Sequence, residues 1–258
     1  MLKICSLTSG SKGNCIYISD GSSIILIDAG VPYSQIKNSL KAIGADVSDV
    51  KGIIVTHEHH DHIAGLARAA SEGIKIYAHP LAQRAIEART GLIKFEQVDF
   101  YDSGFYVGGV RVNPFRVPHD AAYPLGYTLT SGGDKIGVVT DAGHITDGIV
   151  NNLTGSRTVF LEANHDREML LGGSYAKQLK KRIDGANGHL NNGNAGEIAC
   201  KVAGAKLERI ILGHLSEENN TPELAFSTVV EALYAKGVRE GRDVEVEVAL
   251  QNKTTDIF

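Results

Sequence analysis

Residues 57–62 read HEHHDH and place four histidines and one aspartate within six positions. Imidazoles this close repel one another when protonated, and they add little to an apolar core. Neutral imidazole and carboxylate are instead ligands for Zn²⁺, and also for Mn²⁺ and Fe²⁺. His57 and His59, two residues apart at the end of a predicted strand, can bind one ion. Asp61 and His62, at the start of a predicted helix, can face a second ion. This spacing predicts a metal site rather than a surface turn with chance histidines.

Side chains of the same kinds end several other predicted strands. FRVPH ends at His119, GVVTD at Asp141 and IILGH at His214, while IILID ends at Asp28 and TVFLE at Glu162. Rigid sheets usually position chemistry at strand ends and in the adjoining loops. We therefore expect these side chains to converge on the segment HEHHDH.

The strands that must position these residues are short apolar runs. They are rich in Val, Ile and Tyr and are bounded by Gly, Asp or Asn, a composition that favours strands. The runs cover residues 2–7, 15–19, 23–30, 52–57, 74–79, 105–117, 126–131, 135–143, 158–164, 209–214 and 244–250.

Helical patterns alternate with the strand-like runs. Residues 63–73, 80–90 and 174–184 are predicted helices. Asn194, followed three residues later by a glutamate, is predicted to cap a fourth helix, and Thr221 before a proline is predicted to cap a fifth. The alternation predicts a mixed α/β fold, and the absence of repeats or linker-like runs predicts one domain over residues 1–258.

Composition limits the classes of protein to which this chain can belong. Its 258 residues are 43% apolar and 22% charged, as in ordinary globular proteins. The sequence contains no run of about 18 apolar residues, the length that a membrane-spanning helix needs. The start of the chain also lacks the apolar region of a signal peptide, so we expect a cytoplasmic location. Three cysteines, Cys5, Cys15 and Cys200, predict reduced thiols. The net charge of −4 argues against a broadly cationic nucleic-acid surface, although not against a local one.

The segment HEHHDH, together with LIDAG, VPHD, VVTDAG and ILGHLS later in the chain, resembles the signature of the metallo-β-lactamase fold superfamily. The resemblance implies a four-layer αββα sandwich with two divalent ions, Zn, Mn or Fe, at one edge. It implies that Asp28 hydrogen-bonds a ligand histidine and fixes its tautomer. The implied ligands are His57, His59 and His119 for one ion and Asp61, His62 and His214 for the other, with Asp141 bridging the two.

Four further segments resemble the YycJ/WalJ-like exonuclease branch of this superfamily. They are SLTSGSKGNCIYI at 6–18, LEANHD at 161–166, GHLNN at 188–192 and GHLSEENNTPELA at 213–225. An aspartate rather than a cysteine at the bridging position resembles the hydrolase and phosphodiesterase branches, not the enzymes that open β-lactam rings. Asn191 is a departure, because a serine is expected there.

The resemblance implies a dinuclear phosphodiesterase that hydrolyses nucleic acid, DNA more than RNA, by attack of a hydroxide shared by the two ions. Asp61 can also orient this nucleophile. Glu162, with either His165 or His189, can deliver a proton to the leaving group. Two alternatives stay open: a hydrolase of small molecules, such as cyclic-nucleotide or phosphonate diesters, thioesters or lactones, and a binding module without turnover. The complete ligand set counts against the binding module.

Two weaker features could contact a phosphate backbone. Lys177, Lys180, Lys181 and Arg182 form a basic cluster, although such clusters are usually solvated helix faces. The loop at residues 8–14 can present backbone N–H groups to an anion or can be a plain hairpin turn. His60 is expected at the surface or behind the ligands.

Overall fold

The computed structural model describes residues 1–92, 94–96 and 104–258. Within these ranges the strands form two sheets, one with the order β1-β2-β3-β4-β5 and the other with the order β12-β11-β10-β9-β8-β7-β6. The first sheet comprises β1 (Lys3–Thr8), β2 (Cys15–Ser19), β3 (Ile24–Ile27), β4 (Val50–Ile54) and β5 (Ile76–Tyr77). The second comprises β6 (Phe105–Val107), β7 (Val110–Arg116), β8 (Leu125–Ser131), β9 (Asp134–Val139), β10 (Thr158–Glu162), β11 (Arg209–Gly213) and β12 (Glu245–Val248).

Helices cover the outer faces of both sheets. None of the helices in the described ranges has the length and apolarity needed to span a lipid bilayer. The α-helices are α1 (Tyr33–Ala42), α2 (His60–Ile63), α3 (Leu66–Ser71), α4 (Pro80–Thr90), α5 (Asp147–Leu153), α6 (Arg167–Gly172), α7 (Lys177–Ile183), α8 (Asn192–Val202) and α9 (Pro222–Ala235).

Successive apolar residues of a strand pack alternately between the two sheets and against the outer helices. In β3, Ile25 and Ile27 pack in a central cluster between the sheets, whereas Leu26 packs on the outer side. In β10, Phe160 joins the central cluster and its neighbour Leu161 faces the helices of the second sheet. Successive side chains of a strand point to opposite faces, so strands that are apolar throughout need cover on both sides.

Each sheet therefore has its own helical layer. The outer cluster of the first sheet includes Ile36 of α1, Leu66 of α3 and Ile86 of α4. The outer cluster of the second includes Ile149 of α5 and, from α8 and α9, further buried aliphatic residues. The layers are thus helix, sheet, sheet and helix, which confirms the predicted αββα sandwich. Because the two sheets share the central cluster, we propose that residues 1–258 form one domain.

All the predicted strand runs contain strands, and one of them is divided. The run at 105–117 forms two antiparallel strands, β6 and β7, that turn at Gly108 and Gly109. Gly108 adopts a left-handed backbone (φ 59°), which glycine adopts without steric cost. Apolar character alone did not reveal this turn, because both flanking halves are strand-like.

Of the two predicted helix caps, one is confirmed and one is wrong. Thr221 caps α9 by accepting a hydrogen bond from the backbone N–H of Leu224. The prediction of Asn194 as a cap is wrong. Asn191 caps α8 instead, and its Oδ1 accepts a hydrogen bond of 2.9 Å from the N–H of Asn194, which lies in the first turn of the helix. The cap of α8 thus lies three residues before the predicted one, and the side chain of Asn191 is engaged in holding the first turn of the helix.

Candidate metal centre

The carboxyl ends of several strands meet at one edge of the sandwich. β3 runs parallel to β4, and β10 runs parallel to both β9 and β11. Asp28 and His214 directly follow β3 and β11, Asp141 lies two residues beyond the end of β9, and Glu162 ends β10. HEHHDH follows β4 and begins α2. The expected convergence of strand-end side chains is therefore found.

Three of these residues share an unusual backbone conformation. Asp28 (φ 63°), Asp141 (φ 54°) and His214 (φ 57°) are the non-glycine residues with positive φ in the described ranges. Aspartate and histidine tolerate the left-handed region better than most residues, but it still costs free energy. Neighbouring contacts hold it in place: the N–H of His214, for example, donates a hydrogen bond of 2.8 Å to Ser9 Oγ.

One group of histidines comes together as predicted. His57, His59 and His119 each offer a ligand atom within 4.8 Å of the others. The His57 and His59 rings lie 4.6 Å apart, centroid to centroid, and His119 Nε2 lies 3.2 Å from His59 Nδ1.

A second group lies beside the first. Asp61, His62 and His214 also offer ligand atoms within 4.8 Å of one another. Asp141 stands between the groups, with Oδ1 3.6 Å from His119 Nε2 and Oδ2 3.1 Å from His62 Nε2. Its carboxylate thus approaches a histidine of each group, which is the arrangement that a bridging ligand requires.

In three of these histidines, the Nδ1 atom lies within hydrogen-bond distance of an oxygen atom. Asp28 Oδ2 lies 2.7 Å from His62 Nδ1, the Gly188 carbonyl oxygen lies 2.9 Å from His119 Nδ1, and Glu162 Oε1 lies 2.8 Å from His214 Nδ1. An acceptor at Nδ1 holds the proton there and leaves Nε2 free to bind a metal. Asp28 thus lies against His62, a position from which it could support a ligand histidine as the resemblance implies.

His57 gives a direct test of whether the centre fits a metal ion. Its Nδ1 lies 3.0 Å from Thr56 Oγ1, whereas its Nε2 is buried and has no hydrogen-bond partner among the described residues. A buried, unpartnered polar atom is costly unless something binds it. Together with the neighbouring imidazoles and carboxylates, this donor set is able to bind divalent metal ions such as zinc, manganese or iron.

The charges of the centre favour a cation. Burial by itself would raise the pKa of Asp141, but the neighbouring His214, His62 and His57 hold it well below its ordinary value. Burial by itself would lower the pKa of His214, but Asp141, Asp61 and Glu162 raise it to about 10. Without a metal the carboxylates favour protonated His62 and His214, and a divalent cation can replace that positive charge.

Glu162 contacts His189 and not His165. Its Oε1 lies 2.8 Å from His189 Nδ1, and burial, which would raise the carboxyl pKa, is outweighed by His189, so that the pKa falls to about 2. Its Oε2 accepts hydrogen bonds from the N–H groups of Ala142 and Leu190. His165 is fully buried, and its ring contacts Asn164 and lies 3.8 Å from the carboxylate of Asp184.

Sequence reasoning missed several supporting residues. Thr56 donates its N–H to Asp28 Oδ1 at 2.8 Å, and Asn14 Nδ2 lies 3.2 Å from His62 Nε2. Buried Glu58 accepts a hydrogen bond of 2.8 Å from the N–H of Ala122, in the loop that follows His119. The small polar residues of the loop at 8–14 were a signal, and the structure places that loop against the centre. His60 is exposed and belongs to none of the groups.

A cleft of about 220 Å³ opens onto these residues. His59, Asp61, Asp141, His189 and His214 line its floor, and α7 forms one wall. The wall and rim residues are Ser11, Asn164, Tyr175, Leu179, Arg182, Ile183 and Ser216.

Known proteins are similar to this chain in sequence. A family model described as a beta-lactamase superfamily domain matches residues 24–215. The chain is 36% identical over 252 residues to exodeoxyribonuclease WalJ of Streptococcus pneumoniae, with 95% of this chain and 93% of the relative covered. It is 35% identical over 243 residues to exodeoxyribonuclease YycJ of Bacillus anthracis, with 93% and 92% covered.

Solved structures agree on the fold. The metallo-β-lactamase fold protein YhfI from Bacillus subtilis superposes with a TM-score of 0.71 at 18% identity, covering 98% of each chain. A human tRNase Z, short form, superposes with a TM-score of 0.64 at 17% identity, again with 98% of each chain covered. The chain belongs to the metallo-β-lactamase fold superfamily and, within it, to the branch of the exodeoxyribonucleases WalJ and YycJ.

Proposed function

We propose that this protein is a metal-dependent phosphodiesterase that degrades DNA from an end, that is, a DNA exonuclease. The observation that carries the proposal is the pair of ligand groups joined by Asp141 at the floor of an open cleft. The two relatives named exodeoxyribonucleases, similar over almost the whole chain, support DNA as the substrate.

The proposed ligand assignment follows the two groups. His57, His59 and His119 hold one ion, and Asp141 is shared between both. Asp61, His62 and His214 hold the second. When bound there, two divalent ions would supply Lewis-acid stabilisation of the phosphodiester and a water activated near neutral pH.

Asp61 is suited to orient the attacking water. Its Oδ2 lies 3.4 Å from His62 Nε2 and 3.3 Å from His214 Nε2, and 23% of its side chain stays exposed to the cleft. Burial would raise the pKa of this carboxyl, but the charges and hydrogen bonds of His62 and His214 hold it far below its ordinary value. The carboxylate is therefore ionised and can accept a hydrogen bond from the water.

Glu162 and His189 are the proposed proton relay to the leaving oxygen. Glu162 fixes His189 through Nδ1, which leaves Nε2 as the nitrogen that can hold a proton at the cleft. His165, the alternative, is fully buried and does not line the cleft. We therefore assign the general acid to His189.

Arg182 completes the proposed phosphate site. Its guanidinium lines the cleft and is held by Asp120, with Nη2 3.1 Å from Asp120 Oδ1. The hydrogen bond to Asp120 raises the pKa of the guanidinium still further, so the side chain is always cationic. A fixed guanidinium suits an anionic phosphodiester.

A substrate panel tests this proposal against the small-molecule alternative. Purified protein, loaded with Mn²⁺ or Zn²⁺, is given linear DNA, RNA of the same sequence, a cyclic nucleotide, a thioester and a lactone. We expect DNA to have the highest kcat/KM and chelator to abolish its digestion. A higher kcat/KM on the cyclic nucleotide, the thioester or the lactone would contradict the proposal.

A further inference from the structure

A second surface adjoins the cleft. A cavity of about 540 Å³ lies between α6 and α7, and Tyr175 lines both this cavity and the metal cleft. We call it the α6–α7 surface. Its residues are Leu171, Tyr175, Lys177, Lys180, Lys181 and Asp184.

The lysines of this surface differ in what they already bind. Lys180 Nζ donates hydrogen bonds to the carbonyl oxygens of Leu171 and Gly173, so it serves to join the two helices. Lys177 and Lys181 are exposed, and no carboxylate in the described part of the chain pairs with either. Four residues apart, they lie on the same face of α7.

The acidic residue of the surface does not cancel these charges. The carboxylate of Asp184 lies 3.2 Å from Arg167 Nε, which neutralises it locally. The α6–α7 surface is therefore cationic on a chain whose net charge is −4. Such a local concentration of cations complements a polyanion.

The surface also offers an aromatic ring and exposed apolar area. Tyr175 is partly exposed, and 53% of Leu171 is exposed. Surfaces that bind unpaired nucleotides combine cations along the backbone with aromatic rings on which bases stack. The ring beside the lysines therefore fits a single strand, whose bases can stack on it while its phosphates contact the lysines.

We propose that the α6–α7 surface binds the nucleotides next to the scissile phosphodiester, on the strand being cut. Tyr175, at the junction with the cleft, stacks on a base, and Lys177 and Lys181 contact the phosphates beyond it. This inference rests on the proposed nuclease function, because it takes the metal cleft as the place of cleavage.

Binding of a fluorescein-labelled single-stranded oligonucleotide, measured by anisotropy in chelator, tests the surface without turnover. In the double variant Lys177→Gln, Lys181→Gln, the slope of log affinity against log salt should fall by about 1.4, or about 0.7 for each lost phosphate contact. Tyr175→Ala should weaken binding by about 5-fold or more, whereas Tyr175→Phe, which keeps the ring, should bind like the wild type.

The matched control is the double variant Lys206→Gln, Lys236→Gln. Both lysines are exposed, and they lie before β11 and after α9, at the edge opposite the cleft. We expect its affinity and salt slope to equal those of the wild type. An unchanged slope in Lys177→Gln, Lys181→Gln, or an equal fall in the control, would overturn the inference.

Hydrolysis of bis(p-nitrophenyl) phosphate by the metal-loaded wild type separates this inference from the proposed function. If the wild type cleaves this small diester but neither binds nor digests DNA, the nuclease proposal fails, and this inference falls with it. If the wild type digests DNA and the surface variants bind it with unchanged affinity, only the α6–α7 surface is wrongly assigned.

Discussion

Glu162 Oε1 lies 2.8 Å from His189 Nδ1, and the same oxygen lies 2.8 Å from His214 Nδ1. One fully buried carboxylate thus supports both a proposed metal ligand and the proposed proton donor. Because Oε2 also accepts two backbone hydrogen bonds, the carboxylate cannot turn without breaking several contacts at once. A displacement of the Glu162 carboxylate would therefore disturb both His189 and His214.

His189→Ala should lower kcat on DNA by about 10²- to 10⁴-fold, the usual contribution of a general acid. The loss should be much smaller on thymidine 5′-p-nitrophenyl phosphate, because p-nitrophenolate leaves without needing a proton. Parallel kcat measurements on the two substrates check this prediction. His144→Ala is the control, since His144 is exposed and bonds to the Ala186 carbonyl. Equal losses on both substrates would show that His189 acts in some other way.

Asp28→Asn should weaken metal affinity by about 10- to 100-fold without unfolding the protein. Asparagine tolerates the left-handed backbone of position 28, so the substitution removes the charge behind His62 without adding strain. Competition with a chromophoric chelator measures the affinity, and circular dichroism checks the fold. Wild-type affinity in the variant would mean that Asp28 does not act on His62.

The two histidines His60 and His62 should behave differently despite their proximity. His62→Ala should reduce the bound metal below the two ions expected for the wild type, because His62 belongs to the second ligand group. His60→Ala should retain both ions, since His60 is exposed. Elemental analysis after dialysis gives the stoichiometry. Loss of metal from His60→Ala would contradict the ligand assignment.

Asp134→Asn should lower the free energy of unfolding at pH 7 by about 1–3 kcal/mol. Burial would raise the pKa of Asp134, but Arg157 and the N–H of Leu2 lower it below its ordinary value of 3.8. A lowered folded-state pKa contributes stability above the unfolded-state pKa, and that stability is lost as pH falls through the folded-state pKa.

Urea unfolding of the wild type and Asp134→Asn as a function of pH checks this sign. The difference between the two proteins should be constant from pH 8 to about pH 5 and should shrink below about pH 4. A difference that grows on acidification would contradict the assignment of a stabilising Asp134 carboxylate.

The strands and the convergence of their end residues could be predicted, because the apolar runs are bounded by Gly, Asp or Asn and several of them end in His, Asp or Glu. β3 ends before Asp28 and β11 before His214 as expected. The pairing of ligands with ions came from the resemblance to a family. Helix α1 was not predicted, although its buried residues Ile36 and Leu40 have helical spacing.

Apart from the contact of Asp28 with a ligand histidine, which the resemblance implied, the supporting contacts could not be predicted, because most of them join residues far apart in the chain. Ser9 accepts a hydrogen bond from the N–H of His214, which lies 205 residues away in the sequence, and Asn14 contacts His62, which lies 48 residues away. The choice between His165 and His189 was open for the same reason. Both follow Glu162 in sequence, and only the packing of the segment, with His165 beside Asn191, turns one ring inward and the other towards the cleft.

The most direct test of the central claim is the digestion of linear and covalently closed circular DNA of the same sequence. Metal-stripped and Mn²⁺- or Zn²⁺-loaded wild type are compared with metal-loaded Asp61→Ala, which should keep the fold. We predict that only the loaded wild type releases nucleotides, and only from the linear DNA. Digestion by the stripped protein, undiminished digestion by Asp61→Ala, or equal attack on the circle would contradict a metal-dependent exonuclease.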